Sequence, residues 1–115
     1  MKNLRPRCNF WIETDDQVVL SSWRISLLEA VAETGSISAA ATRMNVPYRV
    51  AWRKIKEMET GLGVRLAEST VGGVGGGGTR LTPAAQEYLQ RFHQFSNGLK
   101  ELVEQRFEKA FQNEG

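Results

Sequence analysis

Six basic side chains stand between Arg43 and Arg65 (Arg43, Arg49, Arg53, Lys54, Lys56 and Arg65) against two acidic ones, Glu57 and Glu59. That is a local excess of four in a chain whose net charge is only +2. Cations gathered in this way attract phosphate and make binding salt-dependent. Arginine can do more, because its planar fork matches the O6 and N7 acceptors of guanine. Tyr48, Arg49, Trp52, Arg53 and Lys56 fall on one side of a helix. Tyr48 and Trp52, one turn apart, either pack beneath a neighbouring element or touch sugar and thymine methyl groups. The plain alternative for the cations is a solvated outer face of a core helix. How the segment is positioned separates these readings.

The run from Gly35 to Glu59, GSISAAATRMNVPYRVAWRKIKEME, predicts two short helices joined by a tight turn. Ile37, Ala40, Ala41 and Met44 share a face of the first helix, and Val46 sits in the turn. Val50, Ala51, Ile55, Met58 and Leu62 recur at helical spacing in the second. Ala40 and Ala41 suit a close crossing of the two axes. Ser36 or Ser38 can cap the first helix, and Pro47 fits the first turn of the second. A helix-turn-helix presents its second helix to the major groove of DNA in this way.

The rest of the chain supplies a frame. Residues 1–8 read as a loose tail. Asn9 to Glu13 has strand composition, Thr14 to Gln17 supplies turn residues, and Val18 to Leu20 is apolar. A helix is predicted from near Trp23, capped by Ser21 or Ser22 and ended by Gly35, with Ile25, Leu27, Leu28, Val31 and Ala32 as its stripe. Trp11 and Trp23 are assigned to the core or to a dimer contact. Val64 to Thr70 alternates like a strand, a glycine run extends to Gly78, and Thr79 to Leu81 returns. Strand, glycine-rich tip and strand after a recognition helix describe a wing. Thr82 caps a helix predicted from Pro83 to about Phe111, about 40 Å long. Its stripe of Tyr88, Phe92, Phe95, Leu99 and Leu102, widened by Leu89, Val103, Phe107 and Phe111, is longer than the domain can cover and is expected to meet a second copy. Gly98 marks a bend or a close approach. The expected division is a tail at 1–8, a DNA-binding unit at 9–82 and a dimerisation helix with a short tail at 83–115.

Composition excludes several classes. With 115 residues, 41% hydrophobic and 24% charged, the chain is an ordinary globular one. No apolar run approaches the roughly 18 residues of a membrane span, and no signal-peptide core is visible, so a cytoplasmic protein without a membrane partner is expected. Cys8 is the single cysteine and His93 the single histidine, which leaves no disulfide and no metal cluster to build. The glycine run is followed by Thr79 and Arg80 rather than by the Lys-Ser/Thr of a phosphate-binding loop. Glu57 and Glu59 point to different faces of their helix, a poor arrangement for a paired acid and base. No catalytic residue, metal or cofactor is expected.

Three stretches carry a family resemblance: RISLLEAVAETGSIS at 24–38, the Tyr48-Arg49-x-Ala51-Trp52 run, and GGVGGGGTRLT at 72–82. Together they resemble the N-terminal DNA-binding domain of the ModE-type molybdate-responsive transcription regulators, whose helix-turn-helix outline is shared with LysR-type regulators. The resemblance covers about Phe10 to Phe107. It implies a mainly α winged helix-turn-helix with a small β component, a glycine-rich wing and a long C-terminal dimerisation helix. It also implies a homodimer on an inverted-repeat operator, with Tyr48, Arg49, Trp52 and Arg53 at the double-stranded DNA. The expected DNA face comprises these four with Ser36, Ser38, Arg43, Pro47, Lys54, Lys56 and Arg80. Gly75, Gly76, Gly77 and Gly78 form the wing, and Phe10 and Trp11 join Tyr88, Phe92, Phe95, Leu99 and Leu102 at the dimer interface. Three features depart from the family. Pro47 stands where a serine is usual, Ser21-Ser22-Trp23-Arg24 replaces a glycine-containing turn, and no molybdate site can be carried onto this chain. A link to molybdate metabolism therefore rests on the resemblance alone. The competing readings are a protein-interaction module and a nonspecific architectural DNA binder, and salt dependence with sequence preference separates all three.

Overall fold

The computed structural model describes residues 2–71 and 78–111. Its elements run β1 (Trp11–Thr14), β2 (Gln17–Ser21), α1 (Ser22–Thr34), α2 (Ile37–Arg43), α3 (Tyr48–Leu62), β3 (Ala67–Thr70), β4 (Gly78–Leu81), α4 (Pro83–Ser96) and α5 (Leu99–Phe111). Short polar side chains set the helix starts. The hydroxyls of Ser21, Ser36 and Thr82 accept hydrogen bonds from the backbone N–H groups of Arg24, Ala39 and Ala85, which satisfies donors that the first turn leaves free. Pro47 stands at the cap of α3 rather than inside its first turn, and caps nothing with its side chain.

α1 lies at the centre. Its Leu27, Leu28 and Val31 are fully buried, and α2, α3, α4, β2 and β4 all pack around it. Ala40 and Ala41 of α2 are buried at the crossing with α3, whose own inner face is Ala51, Ile55 and Met58. Asn45 takes a left-handed conformation (φ 60°) in the turn between α2 and α3, which a short polar side chain tolerates.

Two antiparallel hairpins flank this helical body. In the first, Asp15 and Asp16 both have positive φ (52° and 63°), the requirement of a tight two-residue turn. Ile12 pairs with Leu20 and Glu13 with Val18, so Val19 is the extra residue of a bulge. The bulge lets the consecutive Val19 and Leu20 both face the core. In the second, Ala67 pairs with Leu81 and Thr70 with Gly78. This hairpin is tied to the body by backbone bonds. Thr79 N–H donates to the Gly35 carbonyl at 2.8 Å and Thr82 N–H to the Leu66 carbonyl at 3.0 Å. The first tie needs Gly78, where any Cβ would lie 2.7 Å from the Gly35 carbonyl oxygen.

The final segment differs from the continuous helix its periodicity predicts. α4 ends at Ser96, Asn97 is extended (ψ 125°) and Gly98 has φ 85°. Only glycine adopts that last conformation readily, so the hydrogen-bond ladder stops and α5 begins afresh, with Leu102 N–H donating to the Gly98 carbonyl. The two parts also differ in role. α4 buries Ala85, Leu89 and Phe92 in the common core, whereas α5 buries nothing. α5 projects, and the molecule measures 64 Å by 29 Å by 21 Å.

Replacing Gly78 with alanine is expected to cost about 1–3 kcal/mol of stability, the usual penalty for overpacking. Urea unfolding measures it, and an unchanged midpoint would show that β4 does not need its close approach to Gly35.

Candidate nucleic-acid interface

Two part-buried electrostatic contacts hold α3 in place. Arg24 projects from the first turn of α1 with a residue exposure of 8%. Its Nη2 donates to Glu57 Oε1 at 3.0 Å and its Nη1 lies 3.4 Å from the Lys54 carbonyl. Glu59, on the inner side of α3, uses Oε2 to accept the N–H groups of Leu66 (2.8 Å) and Ala67 (3.1 Å), while Oε1 pairs with Lys56 at 3.1 Å. Burial pushes the Glu59 carboxyl up, but the two backbone donors and Lys56 outweigh it and hold the group below its ordinary 4.5. The first contact fixes α3 against α1. The second fixes the start of β3, and so the wing hairpin, against α3.

With its inner face so held, α3 turns Tyr48, Arg49, Trp52 and Arg53 to solvent, the two rings being 52% and 45% exposed. Neither aromatic belongs to the core. The Lys56 ammonium lies 5.5 Å from the centre of the Trp52 ring, within cation–π range. Among the described residues, Arg49 and Arg53 pair with no carboxylate, while their neighbours do. Lys54 lies 3.7 Å from Glu57, Lys56 pairs with Glu59, and Arg43 pairs with Glu33 on α1. Arg80 of β4 meets Glu68 of β3 at 3.2 Å across the wing. The exposed pairs are weak and can open to a phosphate.

The other sequence-derived positions divide by location. Ser36 is half-buried as the cap of α2, Ser38 is exposed on the same helix, and Pro47 is exposed at the start of α3. Gly78 opens β4, and Gly75, Gly76 and Gly77 lie outside the described residues. Of the positions expected at a dimer interface, Phe92 is a correction, because it is only 3% exposed within its own core. Tyr88 packs on the core from its edge. Phe10 stacks edge-on against Phe95 at 5.7 Å between ring centres, so both make contacts within one chain. Trp11, Phe95 and Leu102 are exposed and Leu99 is half-buried. Trp11 and Trp23 are also not core residues; the indole N–H of Trp11 donates to Glu13 at 2.7 Å. Arg24 and Glu59 escaped the sequence reading. A signal existed for Arg24, which lies on the inward stripe with Leu27, Leu28 and Val31, where an unpaired cation would be costly.

A three-helix body, a tight turn between α2 and α3, and a hairpin tied beside α3 define a winged helix-turn-helix domain. The sequence profile described as bacterial regulatory helix-turn-helix protein, lysR family, matches residues 23–86, and the chain belongs to that family. It is 47% identical over 64 residues to the molybdenum transport protein ModE of Herbaspirillum seropedicae, covering 56% of this chain and 24% of that protein. It is 40% identical over 88 residues to the DNA-binding transcriptional dual regulator ModE of Escherichia coli K12, covering 76% of this chain and 30% of that protein. The chain thus spans less than a third of the length of these two relatives. Among solved structures, the CbnR_DBD-DNA complex superposes with a TM-score of 0.59 at 28% identity, over 77% of this chain and 95% of that one. The resemblance to ModE-type regulators read from the sequence is borne out.

Glu59→Gln is expected to cost about 1–2 kcal/mol at pH 7, because two charge-assisted bonds become neutral ones. Since the folded carboxyl is held below its ordinary value, its stabilisation is complete above about pH 5 and fades as pH falls through the folded pKa. Urea unfolding from pH 7 to pH 3 should show the wild-type and Gln curves converging on the acid side. Parallel curves would show that the charge of Glu59 contributes nothing.

Proposed function

We propose that this chain is the DNA-binding part of a sequence-specific transcription regulator that acts in the cytoplasm as a homodimer on an inverted-repeat operator. One observation carries the reading. Among the described residues, Arg49 and Arg53 stand exposed and without a carboxylate partner on α3, beside the exposed Tyr48 and Trp52, while Arg43, Lys54, Lys56 and Arg80 around them are paired. In this reading α3 enters the major groove, where Arg49 and Arg53 read base edges or fix phosphate register. Arg43, Lys54, Lys56 and Arg80 contact phosphate by exchanging their carboxylates for it, and Ser36, Ser38 and Pro47 flank the same face. The wing around Gly75 to Arg80 approaches the DNA backbone or the minor groove. The relatives, one a DNA-binding transcriptional regulator and one a molybdenum transport protein, support DNA as the partner and molybdenum handling as the place to look for regulated genes. No oxyanion site is proposed in this chain.

The dimer reading rests on α5. Its Leu99, Val103, Phe107 and Phe111 recur every four residues without a partner in the core. An antiparallel copy centred on Gln105 would set Leu99 against Phe111 and Val103 against Phe107. The same register would set Glu101 against Lys109 and Glu104 against Arg106, whereas a parallel in-register copy would set like charge against like.

Selection of bound fragments from genomic DNA should enrich an inverted repeat. On that operator, Arg49→Ala is expected to reduce the preference over random DNA by about 5- to 150-fold if the residue contacts guanine. Equal weakening on both DNAs would make Arg49 a phosphate contact. In sedimentation equilibrium the wild type is expected at twice its 12.9 kDa chain mass, and Val103→Glu at the chain mass with unchanged helicity. A monomeric wild type would remove the homodimer from the reading.

A further inference from the structure

The segment before β1 holds three cations in six residues, Lys2, Arg5 and Arg7, with no acidic residue among them. All three are exposed, and the segment from Lys2 to Phe10 forms no helix or strand. Among the described residues, none of the three pairs with a carboxylate. Most cations on and around α3 are paired, so the contrast is one of position. Pro6 lies between the two arginines. It lacks a backbone donor, fixes its own φ and disfavours a helical Arg5, which keeps the stretch extended.

The root of this segment is anchored. Phe10 stacks against Phe95, and Trp11 pairs with Ser21, the cap of α1. One turn further along α1, Arg24 reaches the middle of α3 at Lys54 and Glu57. The arm therefore leaves the body between Phe95 of α4 and the cap of α1, whose first turn touches α3 through Arg24. Its eight residues, Lys2 to Asn9, extend to about 26–29 Å. The 15 residues of α3 span about 22 Å. An arm longer than the recognition helix, rooted beside the cap of α1 one turn from the arginine that touches that helix, is long enough to reach a duplex on which the helix is docked.

We propose that residues 2–9 form a second DNA-contacting element, an extended basic arm whose Arg5 and Arg7 enter the minor groove flanking the site occupied by α3. The inference rests on the DNA-binding reading above. A narrow A·T-rich minor groove has an enhanced negative potential that attracts arginine, and extended basic arms use it in other DNA-binding folds. The arm adds preference for A·T-rich flanks at positions α3 does not touch, together with counterion release of its own.

The test compares the full chain with its Arg5→Ala/Arg7→Ala variant on three duplexes that share the selected operator and carry A·T, G·C or inosine·C flanks. Inosine lacks the guanine N2 amino group, so it gives a G·C pair an A·T-like minor groove while keeping the major-groove acceptors O6 and N7. The wild type is expected to bind the A·T and inosine·C flanks alike and the G·C flanks more weakly. The variant should lose this discrimination, and its salt slope should be shallower by about 2, or roughly 0.9 for each lost contact. Equal slopes and equal flank preference in the two proteins would overturn the arm while leaving DNA binding by α3 intact. A wild type that binds none of the duplexes at low salt would overturn both.

Discussion

The Glu59 carboxylate lies in the last turn of the recognition helix, and it accepts the N–H groups of Leu66 and Ala67, where β3 begins. Those donors have little access to water, so leaving them unbonded would be expensive. Chain connectivity alone would leave the angle between α3 and the hairpin open, because Gly63 and the residues after it form no regular element. The carboxylate closes that freedom from one side. The bond from Thr79 to the Gly35 carbonyl closes it from the other by tying β4 to the end of α1. α3 and strands β3 and β4 are thereby held in one arrangement, and Arg24 sets the rotation of α3 beneath it.

The charge on that surface is sorted rather than summed. Lys54, Lys56, Arg43 and Arg80 each have a carboxylate within 4 Å, which lowers the local field at a distance. Arg49 and Arg53 are left to project theirs. Weak exposed pairs cost little to open, so those of Arg43, Lys54 and Arg80 can give way to a competing anion. This arrangement moderates the field around α3 and concentrates it at Arg49 and Arg53.

Much of the fold was legible because it is written locally. Ser21, Ser36 and Thr82 cap helices within three residues of themselves, Gly35 and Gly63 end them, and the apolar periods of α1, α2 and α3 are regular. What could not be read depends on residues distant in the chain. Arg24 and Glu57 are 33 positions apart, and nothing near either names the other. Phe92 and Leu99 look alike in a helical stripe, yet one is core and the other is on the projecting arm, since only the tertiary fold decides where the body stops. The break at Gly98 was visible as a glycine, but not its extent, because the extended Asn97 before it has no composition signal. The face of α3 was legible as a set of residues, whereas the pairing of Arg43 and Arg80 beside it depended on Glu33 and Glu68 coming near.

The interruption at Asn97 and Gly98 has a mechanical meaning for any assembly built through α5. A continuous rod would transmit the orientation of one DNA-binding body to its partner without loss, locking two half-sites to a single helical phase. Each base pair added between half-sites turns the far one by about 35°. With no hydrogen-bond ladder crossing residues 97 and 98, the seam between protomers and the pose of each body are set by separate parts of the chain. In an assembly of that kind the geometry of that single glycine would set the spacing of the two bodies, although it lies far from the exposed face of α3.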